Sequence, residues 1–227
     1  MSASESSRPR IAAVLGLTLL EVIRAQDFPA EILQDEDPTV TLPRRLGLSD
    51  VVERQIRHYR ESVRKRRRIS DTEAIDLMRL VLRRPDSEEV FLRAGRQLAG
   101  TRGDGPGWVG RTLPPGLTFR MARRYTRRRL KRLFGRSVGA FAPGPFVLEG
   151  SSLIFYRSDP GGDACHFVTG FCRAVLESEV AAEAAVIHDR CQSRGDSVCR
   201  WTATVEARVE AQESVPDLLR GPELEAG

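Results

Sequence analysis

The chain has 227 residues, 41% of them hydrophobic and 30% charged, with a formal net charge of +5. That apolar content in that length supports one sizeable core, or one domain with a helical extension, and excludes disorder throughout. Lys65 and Lys131 are the only lysines and asparagine is absent, so the positive charge is arginine and no N-glycosylation acceptor exists. A GC-rich bacterial genome accounts for both biases, and a cytoplasmic bacterial protein is expected.

Residues 1–10 are small and polar and read as disordered. Ile11 to Leu20 is apolar, but Glu21 and Arg24 interrupt before any small-x-small cleavage site. The run is also far short of the roughly 20 residues that span a bilayer, so no transmembrane segment is expected. Residues 1–43 are therefore a flexible N-terminal segment with one short amphipathic helix, and Pro29 to Pro43 is a proline-spaced acidic linker. A helical region covers 44–109. Asp50 with Glu53, Ser70 with Glu73, and Asp86 with Glu89 have the spacing of an N-cap and its reciprocal acid. The three helices end in the basic run Arg64 to Arg68, before Pro85, and at Gly100.

Gly105, Gly107 and Gly110 spell the dinucleotide-binding glycine pattern, without the preceding strand and following helix that would place a pyrophosphate. A loop is the reading. Leu117 to Phe134 is a helix with a basic face, including Arg123, Arg127 and Lys131, around a stripe of Phe119, Ala122, Thr126, Leu130, Leu133 and Phe134. Nucleic acid is not expected as a partner, because no recognition motif accompanies the charge. Phe146 to Glu149 and Leu153 to Arg157 read as two short strands joined at Gly150. Past Glu206 the pattern is lost, and 209–227 is a disordered acidic tail.

Every cysteine and two of the three histidines lie between Asp163 and Trp201. Cys165, His188, Cys191 and Cys199 follow Cys-x22-His-x2-Cys-x7-Cys, a donor set suited to one tetrahedral structural Zn2+. Ala164 onward is helical, while Val180 to His188 and Val198 to Val205 read as strands, so a helix start, a strand end and a turn can converge on one ion. Disulfides or metal-free reduced thiols are the alternatives. Cys172 cannot bridge Cys165, since one helix separates them by roughly 10 Å. His166 reads as a surface or pocket residue.

On Cys165, Gly170, His188, Cys191, Gly195-Asp196, Cys199 and Arg200-Trp201, the stretch resembles the 4-vinyl-reductase-like domain, which shares its fold with subunits of TRAPP-type vesicle-tethering complexes. His188 stands where the family usually has glutamate. The resemblance implies an α/β (α+β) domain over about 110–208, a mostly antiparallel sheet covered by helices, and a homodimer. It also implies a hydrophobic small molecule as partner, either an aromatic effector or a tetrapyrrole in bacteriochlorophyll synthesis. Phe155, Phe167, Phe171 and Trp201 lie on elements that meet around the metal and can either line an apolar pocket or fill the core. Arg123 and Arg127 would then meet ligand carboxylates at the pocket mouth. Neither paired carboxylates nor a Ser-His-Asp arrangement is evident, and four protein ligands leave no open position on zinc, so a binding protein is expected rather than an enzyme. An effector-sensing domain and a ligand-free dimeric scaffold are the alternatives.

Overall fold

The structure is a computed structural model, and it describes residues 9–27, 50–100, 114–151, 153–180 and 184–205. The apolar run at the N-terminus splits in two. Ile11–Ala12 is a short strand, β1, and Val14–Asp27 is helix α1, with Leu15, Leu19, Leu20, Val22 and Ile23 buried. β1 pairs antiparallel with β2 (Arg68–Ile69), Ile11 opposite Ile69. Between them comes α2 (Asp50–Arg64), which packs on α1.

α3 (Asp71–Leu82) opens as its spacing predicts, with the Glu73 N–H donating to Ser70 Oγ at 3.1 Å. The reciprocal half of the capping box is not made, because Glu73 instead accepts from the Tyr59 hydroxyl at 2.9 Å. α4 (Ser87–Ala99) has Asp86 at the N-cap position without a side-chain cap bond. The Asp86 carboxylate is drawn to the Arg84 guanidinium, 2.8 Å away. Both carboxylate oxygens are engaged, the second at 3.0 Å, so the two-pronged ion pair takes the place of the cap.

α5 (Pro115–Phe134) buries Ala122, Thr126, Leu130, Leu133 and Phe134, the stripe that the periodicity marks, and ends at Gly135 in the left-handed conformation. β3 (Ala140–Ala142) and β4 (Val147–Gly150) form a hairpin turned by Pro143-Gly-Pro145. Leu153 to Arg157 is not the second strand. Ile154–Ser158 is a short helix, α6, which turns Ile154, Phe155 and Ser158 inward while Tyr156 stays exposed. A strand would have put Ile154 and Tyr156 on the same face.

A 3-10 turn at Asp163–Cys165 leads into α7 (His166–Val180). Val180 closes that helix, and strand β5 begins only at Ala184 and runs to Arg190. β6 is Cys199–Val205. The four-stranded sheet is antiparallel in the order β3-β4-β6-β5, so the last strand is inserted at the centre. The protein is thus mixed α/β with small antiparallel sheets, and buried apolar side chains from Ile11 to Ala203 belong to one core. The glycine pattern at 105–110, the linker and the C-terminal tail lie outside the described residues. Among the described residues, no helix is long and apolar enough to cross a membrane.

The most extensive helix contact is α4 against α7. Two glycines permit it. A Cβ on Gly95 would overlap the Phe167 carbonyl oxygen, and one on Gly170 would overlap that of Leu92. The two backbones touch, which holds the start of α7 firmly against the helical half of the molecule.

Candidate metal centre

Cys165 ends the 3-10 turn ahead of α7, and the chain around it is tied down by Asp159. The buried Asp159 carboxylate accepts from the Gly161 N–H (2.7 Å) and the Ala164 N–H (2.8 Å). Ser87, at the start of α4, donates to Asp163 at 2.9 Å and anchors the same turn from the other side. From the far side of the centre, Ser193 donates to the Asp159 carbonyl at 2.8 Å. The loop that delivers Cys165 and the loop that follows Cys191 are thereby joined before any ion is considered.

His188 and Cys191 pose a geometric problem. In a regular strand, residues three apart point to opposite faces. Here His188 pairs with Trp201 and Arg190 with Arg200, leaving Asp189 as an extra residue in a β-bulge. One inserted residue shifts the alternation by one position, so His188 and Cys191 come to the same side.

After Cys191 the chain reverses through a 3-10 turn at Gln192–Arg194 and the left-handed Gly195. The Asp196 carboxylate accepts from the Cys191 N–H at 2.7 Å, while the Arg194 and Asp196 N–H groups donate to the Cys191 carbonyl. This knuckle is the part that the Gly-Asp dipeptide signals. It returns the chain to Cys199, which sits opposite Gly150 on β4.

The result brings all four sequence-predicted donors together. One donor atom from each of Cys165, His188, Cys191 and Cys199 lies within 4.8 Å of the other three. The three thiols are buried, and all are free of disulfides. Both His188 ring nitrogens are buried without a hydrogen-bond partner. A buried imidazole with both nitrogens orphaned is costly, and a bound cation removes the deficit at one of them.

The thiols are electrically unequal. The Cys165 S–H is directed at Cys199, which, with burial and the nearby Cys199 and Cys191 sulfurs, pushes the Cys165 thiol far up from its ordinary value. Cys199 moves down, chiefly because it receives that hydrogen bond, with the Gln192 N–H donating to its sulfur at 3.4 Å and the His188 ring close by. These residues could hold a metal ion, and the donor chemistry and the orphaned imidazole both fit that role.

Other sequence-predicted residues are placed differently. Cys172 is fully buried away from the cluster, its thiol raised by burial alone. His166 turns Nδ1 to the Asp163 carbonyl at 3.1 Å and Nε2 toward Glu88 at 4.0 Å. Phe155, Phe167 and Phe171 are wholly buried and packed on one another, with Phe155 and Phe167 stacked at 5.4 Å and Phe167 and Phe171 at 6.4 Å. Phe134 meets the first two edge-on. Trp201 stacks on His188 at 4.6 Å, nearly parallel, and its buried indole N–H has no hydrogen-bond acceptor.

Arg123 is engaged within the fold, donating to the Pro145 carbonyl at 2.8 Å and lying over the Phe141 ring, whereas Arg127 is exposed. Sequence reasoning missed the Asp159 brace and the Asp189 bulge. The Asp159-Pro-Gly-Gly run signals a turn, but nothing in it says that the carboxylate reaches Ala164. Compared with family models, curated proteins and solved structures, the chain matches none.

Proposed function

We propose that this chain is a zinc-containing binding protein rather than an enzyme, built on the 4-vinyl-reductase-like plan and taking a hydrophobic aromatic or tetrapyrrole ligand without transforming it. The observation that carries the reading is the closed Cys165, His188, Cys191, Cys199 donor set. Donor atoms around tetrahedral Zn2+ lie about 3.6–3.8 Å apart, so the cluster needs only a small contraction to fit that ion. Four protein donors occupy every position of a tetrahedral ion, so its contribution is to clamp α7 to β5 and β6. Exact resemblance of the cysteine spacing to zinc-containing members of that family supports zinc over other ions. The unpaired indole N–H of Trp201, buried beside the aromatic core, supports a ligand with an acceptor atom. An accessory role in bacteriochlorophyll synthesis is the form of this function that we favour.

A second reading is a ligand-free dimeric scaffold. Its support is that Phe134, Phe155, Phe167 and Phe171 pack against one another and can fill the core themselves. Metal analysis of purified protein is expected to give one zinc per chain. Tryptophan fluorescence and thermal melting against a panel of protochlorophyllide-type pigments, haem and simple phenols then separate the readings. Quenching together with a raised melting temperature supports binding. A folded, zinc-loaded dimer that responds to none of the panel leaves the scaffold.

A further inference from the structure

The last turns of α5 carry Arg128, Lys131 and Arg132, spaced i, i+3, i+4 and so on one face of the helix. That face does not look into open solvent alone. β1 packs against α5, bringing Arg10, just ahead of the strand, and Arg68, on β2, alongside it. Together these five cations line an open recess of about 650 Å3, completed by Pro9 and Gly135, with no carboxylate among its lining residues. Gly135 is what lets the walls close. Its φ is +68°, and a Cβ there would overlap the Arg10 backbone.

Two local uses of this charge account for part of it. Arg68 donates to the Arg10 carbonyl and, at 3.2 Å, to the Arg132 carbonyl, satisfying the end of α5. The macrodipole of a helix C-terminus is worth about half a charge, so that one guanidinium already answers it. Arg10 is held in a two-pronged pair with Asp71, at 2.9 and 3.2 Å. Asp71, however, is shared. Arg157 lies 3.4 Å and Arg136 3.8 Å from the same carboxylate oxygen, so one buried acid faces three guanidiniums. Asp71 has no charge left over for the recess. Arg128, Lys131 and Arg132 make no ion pair with a carboxylate among the described residues.

We infer that the recess between the end of α5 and the β1–β2 ribbon is a binding site for a compact polyanion of the oligophosphate class. The guanidinium forks of Arg128 and Arg132 and the Lys131 ammonium line the recess without a carboxylate partner, and the Arg10 and Arg68 guanidiniums, already bonded within the fold, add their charge beside them. Such an arrangement suits several phosphate groups joined in a row, because each fork can take two oxygens of one group. A single carboxylate cannot match that charge density. The gathering of five cations around one recess separates this site from a nucleic-acid surface, which would present its cations along a track. The recess shares no residue with the metal cluster, and the inference does not depend on the proposed ligand of the aromatic core.

The test is calorimetric titration of the full chain with inorganic tripolyphosphate, repeated at raised salt. Two double variants are compared: R128E/K131E inside the recess, and R120E/R124E, which makes the same change of net charge on exposed positions of the same helix. Saturable one-to-one binding is expected, weakened roughly tenfold or more by R128E/K131E and by less than about twofold by the control pair. Orthophosphate should bind more weakly than tripolyphosphate. The neutral pair R128Q/K131Q, checked for an unchanged melting temperature, should also lose affinity. Absence of saturable binding, or equal losses in the two charge-reversed proteins, overturns the inference. So does tight binding to phosphatidylglycerol vesicles or duplex DNA that R128E/K131E abolishes and tripolyphosphate does not displace.

Discussion

Cys165 and Cys172 lie at the start and in the second turn of one helical segment, both wholly buried and both with thiols pushed above the ordinary value. The causes differ. Around Cys172 there is only burial, and the neighbouring aromatic core is complete in itself, ring against ring. Around Cys165 the dominant cause is a hydrogen bond to another sulfur, and the region holds an imidazole with neither nitrogen satisfied. The cysteine cluster lacks a partner for its donors, and that asymmetry, rather than the cysteine count, marks it as a site.

Removing one donor breaks the comparison at its strongest point. Cys191→Ser is expected to abolish metal binding and, with several kcal/mol of metal-linked folding free energy gone, to lower the melting temperature by more than about 10 °C. Metal analysis and a thermal scan of the same sample check both halves. The Cys165 thiol, raised above its ordinary value, must lose its proton when a metal binds, so affinity rises with pH, and acidification should release the metal before the protein unfolds.

Phe167→Ala tests the other region. Deleting a ring that touches Phe134, Phe155 and Phe171 should cost about 3–5 kcal/mol while the metal content per folded chain stays the same. Denaturant unfolding beside metal analysis separates the two effects. If metal is lost in proportion to stability, the cluster and the core are one cooperative unit, not two regions.

The smallest effect sharpens the contrast between the cysteines. Cys172→Ala removes one buried sulfur from an apolar setting and should cost about 1 kcal/mol, a shift of a few degrees, with metal binding unchanged. A large loss of metal in this variant would place Cys172 in the site after all.

Much of the site was legible because its signals are local. Donor types, the short spacing from His188 to Cys191, and the Gly195-Asp196 turn are properties of one stretch of chain, as is the Ser70 cap that opens α3. Leu153 to Arg157 was not legible. Five residues are too few for a period to distinguish helix from strand, and the choice depends on which side chains the core can receive. The Asp86 cap failed for a related reason, since Arg84 offers the carboxylate a charged partner that no capping rule anticipates.

Sequence by itself determined the four residues that could hold a metal, the helical stretches with their buried stripes, and the surplus of arginine, because chemistry and helical periodicity are carried residue by residue. Tertiary structure alone decided where those features face. The bulge at Asp189 turns His188 toward the thiols, the bare Gly95 and Gly170 backbones let α4 and α7 touch, and β1 closes against α5 to gather Arg10 and Arg68 with Arg128, Lys131 and Arg132. Each of these joins residues distant in the chain, and such contacts are set by how surfaces fit once packed, not by any period or spacing along the sequence.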